Sequence, residues 1–307
     1  MAELKKQTEF KLNKRDSVWF QDNSAAVNIA YAKEVCDLAI LPIGAIEQHG
    51  PHCPTGSDTF NAMGIAEAVA EKSGAMLLPC PMYGGHPHHH WGMPGTIPLT
   101  FETHIGLITD IIRGAANAGY NKFLVISAHG QVMSMTVAVH KAGIEGFFTM
   151  GSTWYDFLRD DKKTLDTYMW HADEAETSVA LSLYGDKVHM DLAIQGAGTP
   201  IIDSKWKIAP GQQASEGMMY HFEGTFGLPE KDDLATGVIG DPTLANKEKG
   251  DELVDRVSDR YAELVKEVMD KYPCGINPLG FRNPMGYNGT STFEYDKDHD
   301  EKGQLKK

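Results

Sequence analysis

The sequence predicts an α/β fold, a mainly parallel sheet with helices on both faces, in a single domain with a C-terminal extension. Three observations lead there. Short apolar runs such as Leu38–Ile43 and Phe123–Ser127 have the length and composition of strands buried on both sides. Segments with apolar residues at helical spacing alternate with them. The runs also give way, at their carboxyl ends, to polar loops rich in Gly, Pro and His.

Taken in order, the N-terminal segment begins with Met1 to Phe20, which mixes basic and acidic residues and has no apolar core resembling a signal peptide. A strand over Leu38–Ile43 leads into the loop Gly44 to Ser57. Ala62, Ile65, Ala66, Val69 and Ala70 then fall on one helical face, with Ser73-Gly74 to end the helix. Ala75 to Pro79 is a second short strand, so the chain opens as β-α-β. Pro81 to Pro98 carries too many Gly and Pro residues for regular structure and includes His86, His88, His89 and His90. Thr100 caps a helix striped by Ile105, Ile108, Ile112 and Ala115. The strand Phe123–Ser127 delivers Ala128-His129-Gly130-Gln131; a helix follows over Val132 to Gly143, and a strand over Phe147 to Trp154. Asp173 to Tyr184 reads as a helix with an acidic first turn, favoured by the helix dipole. Gly185 to Gly250 lacks sustained periodicity and reads as ordered loops with short elements. Leu253, Val257, Tyr261, Leu264 and Val268 restore an amphipathic helix closed by Pro273. Residues 35–273 thus form the domain, flanked by an N-terminal segment (1–34) and a polar tail (274–307) expected to be either disordered or an arm packed on a neighbour.

Composition narrows the function. The 307 residues hold 42 acidic side chains against 28 Lys and Arg, a net charge of −14 with no clustered basic patch, which argues against nucleic-acid binding. No stretch supplies the ~20 apolar residues of a membrane span. Four scattered cysteines without a CxxC pair fit a reducing compartment, so a cytoplasmic protein is expected.

The chemistry-bearing residues cluster at strand ends. Glu47, His49 and Asp58 follow the first strand, His129 follows the strand at Phe123–Ser127, and Glu176 lies in the first turn of the helix preceded by His171. Carboxylates and imidazoles from separate loops are the donor set of a mononuclear or bridged dinuclear Zn²⁺, Mn²⁺ or Fe²⁺ site. A carboxylate can bridge two ions at the ~3.5–4 Å separation of two-metal hydrolases.

Pro42-Ile-Gly-Ala-Ile-Glu-Gln-His-Gly50 with Asp58, the turn Pro94-Gly-Thr96, Ser127-Ala-His-Gly130 and Glu176-Thr-Ser178 preceded by His171 resemble the creatininase (creatinine amidohydrolase) family over residues 35 to 190. The resemblance implies a creatininase-like fold and makes Glu47, His49, Asp58 and His129 metal ligands, with Asp58 as the bridge. It gives His171 a catalytic role at the mouth of the site. Creatininase has a glutamate ligand where this chain has Gln131, so Glu176 is the candidate to complete the set and, with His171, a candidate catalytic residue. Trp170 replaces a glutamate. Gln131, His89, His90, Trp154, Tyr155 and Trp170 are the candidate substrate contacts.

The function expected from this is a metal-dependent hydrolase that opens a small polar ring, a metal-activated water attacking a carbonyl and His171 passing a proton to the leaving group. Zn²⁺ is the leading cation, with one or two ions per subunit. A creatinine-like cyclic amide is the first substrate expected. The alternative is a C–C bond in a cyclic diketone such as 3-dehydro-scyllo-inosose, a substrate of inositol breakdown opened by hydrolases of the same family. A non-catalytic metal- or ligand-binding protein of this fold is the reading from a different class. The resemblance also implies a homo-oligomer, a hexamer among the sizes considered.

Overall fold

The computed structural model describes residues 14–87, 90–130, 132–158, 164–197 and 236–278. Among them, four parallel strands form one sheet: β1 (Leu38–Ile43), β2 (Met76–Leu77), β3 (Lys122–Ser127) and β4 (Phe148–Thr153), in the order β2-β1-β3-β4. β1 and β3 pair over their full length, from Leu38 opposite Lys122 to Ile43 opposite Ser127. Every residue of both strands is buried, as expected of central parallel strands covered on both faces.

Among the described residues, six α-helices surround the sheet: α1 (Ala25–Glu34), α2 (Ser57–Ser73), α3 (Phe101–Ala116), α4 (Met133–Ile144), α5 (Glu174–Tyr184) and α6 (Lys247–Lys271). The chain moves one way along the sheet from β1 to β2, and the other way from β2 to β3 and on to β4. Right-handed crossovers therefore put α2 on one face and α3 and α4 on the other. α5 and α6 join α2, and α3 packs against α4. The approach of α6 to α5 is close enough that a Cβ at Gly250 would lie 1.9 Å from the Ser178 carbonyl oxygen.

Local signals set the helix ends. Ser24, Thr100, Asp173 and Asn246 each cap a helix by accepting from a backbone N–H of its first turn. Gly74 closes α2 in the left-handed region at φ 83°.

The structure revises several expectations. α1 falls within the segment to which no helix was given, and β2 is only two residues long because its pairing with β1 is confined to Ala39–Met76 and Ile40–Leu77. α2 begins at Ser57, so Asp58 sits inside its first turn rather than before it. The described parts of the 185–250 stretch contain 3-10 turns and isolated bridges, with α6 already begun at Lys247. Of the tail, residues 279–307 lie outside the described set. No helix among the described residues is long and apolar enough to cross a membrane, and Cys36, Cys53, Cys80 and Cys274 are all free thiols.

One ion pair sits deep at the amino end of the sheet. Lys122 Nζ donates to Asp37 Oδ1 at 2.6 Å, both side chains having essentially no exposed area. Asp37 Oδ2 also accepts from Gly275 N at 2.8 Å, and Lys122 Nζ lies 3.4 Å from the Pro273 carbonyl oxygen, tying the segment after α6 to the start of β1 and β3. Breaking such a pair strands a buried charge. Lys122→Met is therefore expected to lower unfolding stability by about 3–5 kcal/mol, read as a fall in the urea midpoint, with Asp37→Leu/Lys122→Met recovering much of the loss.

Candidate metal centre

The reversal of chain direction between β1 and β3 opens a crevice at their carboxyl ends, where open α/β sheets bind their ligands. The loop after β1 is held from several sides. Thr59 Oγ1 donates to the Ala45 carbonyl oxygen at 3.1 Å, Glu47 N to that of Thr55 at 2.9 Å, and Gln48 N to Thr96 Oγ1 at 3.0 Å. The Pro94-Gly-Thr96 turn thus acts as a clasp on this loop. At Gly44 a Cβ would stand 2.4 Å from the Thr59 backbone nitrogen, so only glycine lets α2 come this near and bring Asp58 under Glu47 and His49. On the β3 side, His129 N donates to Ser127 Oγ at 3.2 Å, and Ser127 Oγ donates to the His129 carbonyl oxygen at 2.9 Å.

These constraints bring Glu47, His49, Asp58, His129 and Glu176 together, all buried. His49 Nδ1 lies 3.1 Å from the Glu47 carbonyl oxygen, which assigns it the proton and leaves the Nε2 lone pair facing inward. That nitrogen lies 3.3 Å from Asp58 Oδ1 and 3.5 Å from Glu176 Oε2. His129 Nδ1 is 3.0 Å from Glu47 Oε2 and 3.2 Å from Asp58 Oδ2. Asp58 therefore turns one oxygen toward each histidine. Two further imidazoles close the far side: His90 Nδ1 is 3.2 Å from Glu47 Oε1 and 3.0 Å from His86 Nδ1.

Electrostatics show how the charges are balanced. Burial opposes the charge on His49, yet Asp58, Glu176 and Glu47 together raise it well above the usual imidazole range. His129 is raised to about 10 in the same way, by Glu47 and Asp58 against burial. Burial would lift Glu47, but His90, His171 and His129 hold it well below the ordinary carboxylate range. Glu176 goes the other way, pushed well above that range by burial and by Asp173 and Asp58 despite His49. His86 is driven down to about 3 by burial and the neighbouring His129, which keeps it neutral.

Three groups of donors emerge, each with its ligand atoms within 4.8 Å of one another: His49, Asp58 and Glu176; Glu47, His49 and His171; and Glu47, His86, His90 and His129. His49 Nε2, Asp58 Oδ2, His86 Nε2 and His129 Nε2 are buried with no hydrogen-bond partner. Inward-facing lone pairs, converging carboxylates and buried polar atoms left unpaired fit a divalent cation.

His171 packs on this centre with its ring centroid 4.5 Å from that of His49. Its Nε2 lies 2.9 Å from the Gln48 carbonyl oxygen, and burial, reinforced by His49, lowers its pKa despite the opposing pull of Glu47 and Asp58. The backbone beside it is strained: Ala172 has φ 51°, and its N–H donates to Glu176 Oε2 at 2.6 Å. Asp173 secures this bend by accepting from Ala175 N at 2.9 Å, from Glu176 N at 3.1 Å and from Trp170 N.

The expected substrate contacts are distributed differently. Trp154 does not face the crevice; it is fully buried in the hydrophobic core, because the turn after β4 folds its ring inward to within 5.9 Å of Tyr155. Tyr155 is half-buried, and its hydroxyl is 3.7 Å from where a Cβ on Gly130 would stand. Trp170 is half-buried on the His171 segment, and His90 sits against Glu47 rather than in an open pocket. His89 and Gln131 lie outside the described residues. A cavity of about 330 Å³ is lined by Gln48, Gly50, Pro51, Met93, Pro94, Ile194, Thr236 and Gly237, and none of the expected contacts is among them. Gln48 joins it to His171. Sequence reasoning had not assigned parts to His86, Gln48 and Asp173. Only His86 carried a signal, as a member of the histidine run.

The fold and the site together define an α/β protein with a buried cluster of His, Glu and Asp side chains able to bind a metal. Residues 23–265 match the family model of creatininase, creatinine amidohydrolase. The chain belongs to the creatininase family. It is 34% identical over 260 residues to the 3-dehydro-scyllo-inosose hydrolase of Thermotoga maritima, covering 79% of this chain and 81% of that protein. It is 30% identical over 175 residues to the creatinine amidohydrolase of Pseudomonas putida, covering 50% and 67% respectively. The fold superposes on the manganese form of creatininase with a TM-score of 0.65 at 23% identity, over 84% of this chain and 100% of that one.

Because Asp173 both caps α5 and fixes the bend at Ala172, Asp173→Ala is expected to cost at least the ~1–2 kcal/mol of a lost cap. The measurement is the thermal midpoint, which should fall while Asp191→Ala, at an exposed position, leaves it unchanged.

Proposed function

We propose that this chain is a metal-dependent hydrolase that opens a small polyhydroxylated ring at a carbonyl, with a cyclic diketone of the 3-dehydro-scyllo-inosose type as substrate class. The observation that carries the hydrolase reading is the convergence of Glu47, His49, Asp58, His129 and Glu176, buried and with inward lone pairs, at the carboxyl ends of β1 and β3. The substrate class rests on the relative matched over 79% of the chain, against 50% for the creatinine amidohydrolase. A creatinine-like cyclic amide is the second reading, favoured by the family model itself.

The five converging side chains would hold the cation, Asp58 presenting one oxygen toward His49 and the other toward His129. Two of the five donors are imidazoles, and the rest are carboxylates, a set suited to Zn²⁺ or Mn²⁺; the manganese form of a structural neighbour agrees with the latter. When bound, such an ion supplies the electrophile that polarises a carbonyl and acidifies water.

The chain's own residues do the rest. His171 is kept neutral by burial and oriented by the Gln48 carbonyl, so it takes up a proton as water adds to the carbonyl carbon and gives it to the departing carbon or nitrogen. One ring bond breaks, one water is consumed, and no covalent link to the protein forms. Gln48, Pro51, Met93 and Pro94 form a small wall suited to holding a ring of this size. A cytoplasmic setting belongs to the same reading, supported by four unpaired cysteines, and a homo-oligomer follows from the family resemblance alone.

Purified protein assayed against 3-dehydro-scyllo-inosose and creatinine distinguishes the two substrates, the first being expected to turn over faster. Chelation should abolish turnover, and added Zn²⁺ or Mn²⁺ should restore it. Metal bound without conversion of either ring would instead support a binding protein. His171→Gln is expected to lower kcat by about 10²–10⁴-fold while leaving the metal content unchanged, checked by steady-state kinetics alongside elemental analysis.

A further inference from the structure

His171 is held by a strap, residues 236–240, that belongs to neither the sheet nor α5. His171 N donates to the Ile239 carbonyl oxygen at 3.3 Å, and Ile239 N donates back to the His171 carbonyl oxygen at 2.9 Å. One residue on, Gly240 exchanges a second pair of hydrogen bonds with Gly196, at 2.9 and 3.0 Å. The strap lies close because side chains are missing. A Cβ on Gly196 would stand 2.1 Å from the Val238 carbonyl oxygen, and one on Gly240 would stand 2.6 Å from Asp173 Cβ.

The strap also meets the residue that orients the His171 ring. Gln48 reaches His171 Nε2 twice, its carbonyl oxygen lying 2.9 Å away and its side-chain Nε2 3.1 Å. The first is an acceptor and the second a donor, so in either neutral tautomer the ring nitrogen faces a partner on Gln48. The other end of this amide is seated against the strap. Its Oε1 accepts from Gly50 N at 3.3 Å, and a Cβ on Gly237 would stand 1.7 Å from it. That is far inside the ~3.5 Å at which non-bonded heavy atoms settle. Gly237, at φ 66°, lines the same cavity as Gln48.

We propose that Gly237 is a positioning residue for the ring-opening reaction: the strap it belongs to seats the Gln48 amide against His171 and so fixes the direction in which that ring faces the cavity. A methyl group at position 237 and the present Gln48 rotamer cannot coexist. The amide is the flexible partner, so it gives way, and His171 loses a contact that holds its ring.

This inference rests on the part given above to His171, and its test therefore reads ring placement as well as turnover. Gly237→Ala, Gln48→Ala and the double variant are compared with Gly146→Ala, which puts a side chain at a similarly left-handed φ of 94° with nothing within 4 Å. Histidine ring nitrogens are isotope-labelled for NMR, and the His171 signal is assigned by its loss in His171→Gln. Gly237→Ala and Gln48→Ala should each shift that signal, and Gly146→Ala should not. With whichever ring the wild type opens, Gly237→Ala should lower kcat by about 10²-fold, the order expected for a small misplacement of a reacting group, at unchanged KM and metal content. The double variant should be no slower than Gln48→Ala, because both changes act through one contact. If Gly237→Ala alone is unstable, the double variant, which removes the overlap, should recover most of the lost thermal midpoint. An unmoved His171 signal in Gly237→Ala, kcat losses that multiply in the double variant, or no recovery of the midpoint would each overturn the proposal. A wild type that opens neither ring, with the His171 signal still displaced in Gly237→Ala, would sink the hydrolase reading and leave the strap's hold on His171 standing.

Discussion

The fold is arranged around the burial of negative charge. Glu47, Asp58 and Glu176 are brought into the interior at the sheet's switch point, where the basic groups within ion-pair distance of them, among the described residues, are the imidazoles of His49, His90 and His129. Carboxylates taken from water need a partner of opposite sign, and the imidazoles around them are the partners the chain supplies. His49 and His129 accordingly hold protons far more tightly than free imidazoles do. A proton shared between a ring nitrogen and a carboxylate occupies the place a divalent cation would take. The clasp at Thr96, the close approach at Gly44 and the bend at Ala172 all hold these repelling groups together.

Much of this was legible in the sequence. β1 and β3 were readable because central parallel strands are apolar without interruption, and that composition is local. α3 was readable because Thr100 caps it and Ile108, Ile112 and Ala115 are buried at helical spacing. α1 was not. Its buried residues are Val27, Asn28, Tyr31 and Ala32, while Ile29 is exposed, so its apolar side chains spread around the axis instead of forming a stripe. Trp154 was a candidate substrate contact by its resemblance to the family, but only the tertiary path of the turn decides that its ring enters the core.

The site divides the same way. Glu47, His49, Asp58 and His129 could be found because they follow strand ends. His86 and His90 stand four residues apart without being on a helix. What makes them neighbours is the pairing of Gly85 with Leu99, a contact no local pattern encodes. Gln48 was hidden because it meets His171 across 123 positions of chain.

The tie between Asp37, Lys122 and the stretch Pro273–Gly275 has a practical bearing. It fixes the last described turns of the polypeptide at the amino end of the strands, whereas the donors gather at the other end. A six-residue parallel strand rises about 20 Å, so this tie is roughly that far from the crevice. A change at this tie therefore reaches the sheet from the end away from the crevice.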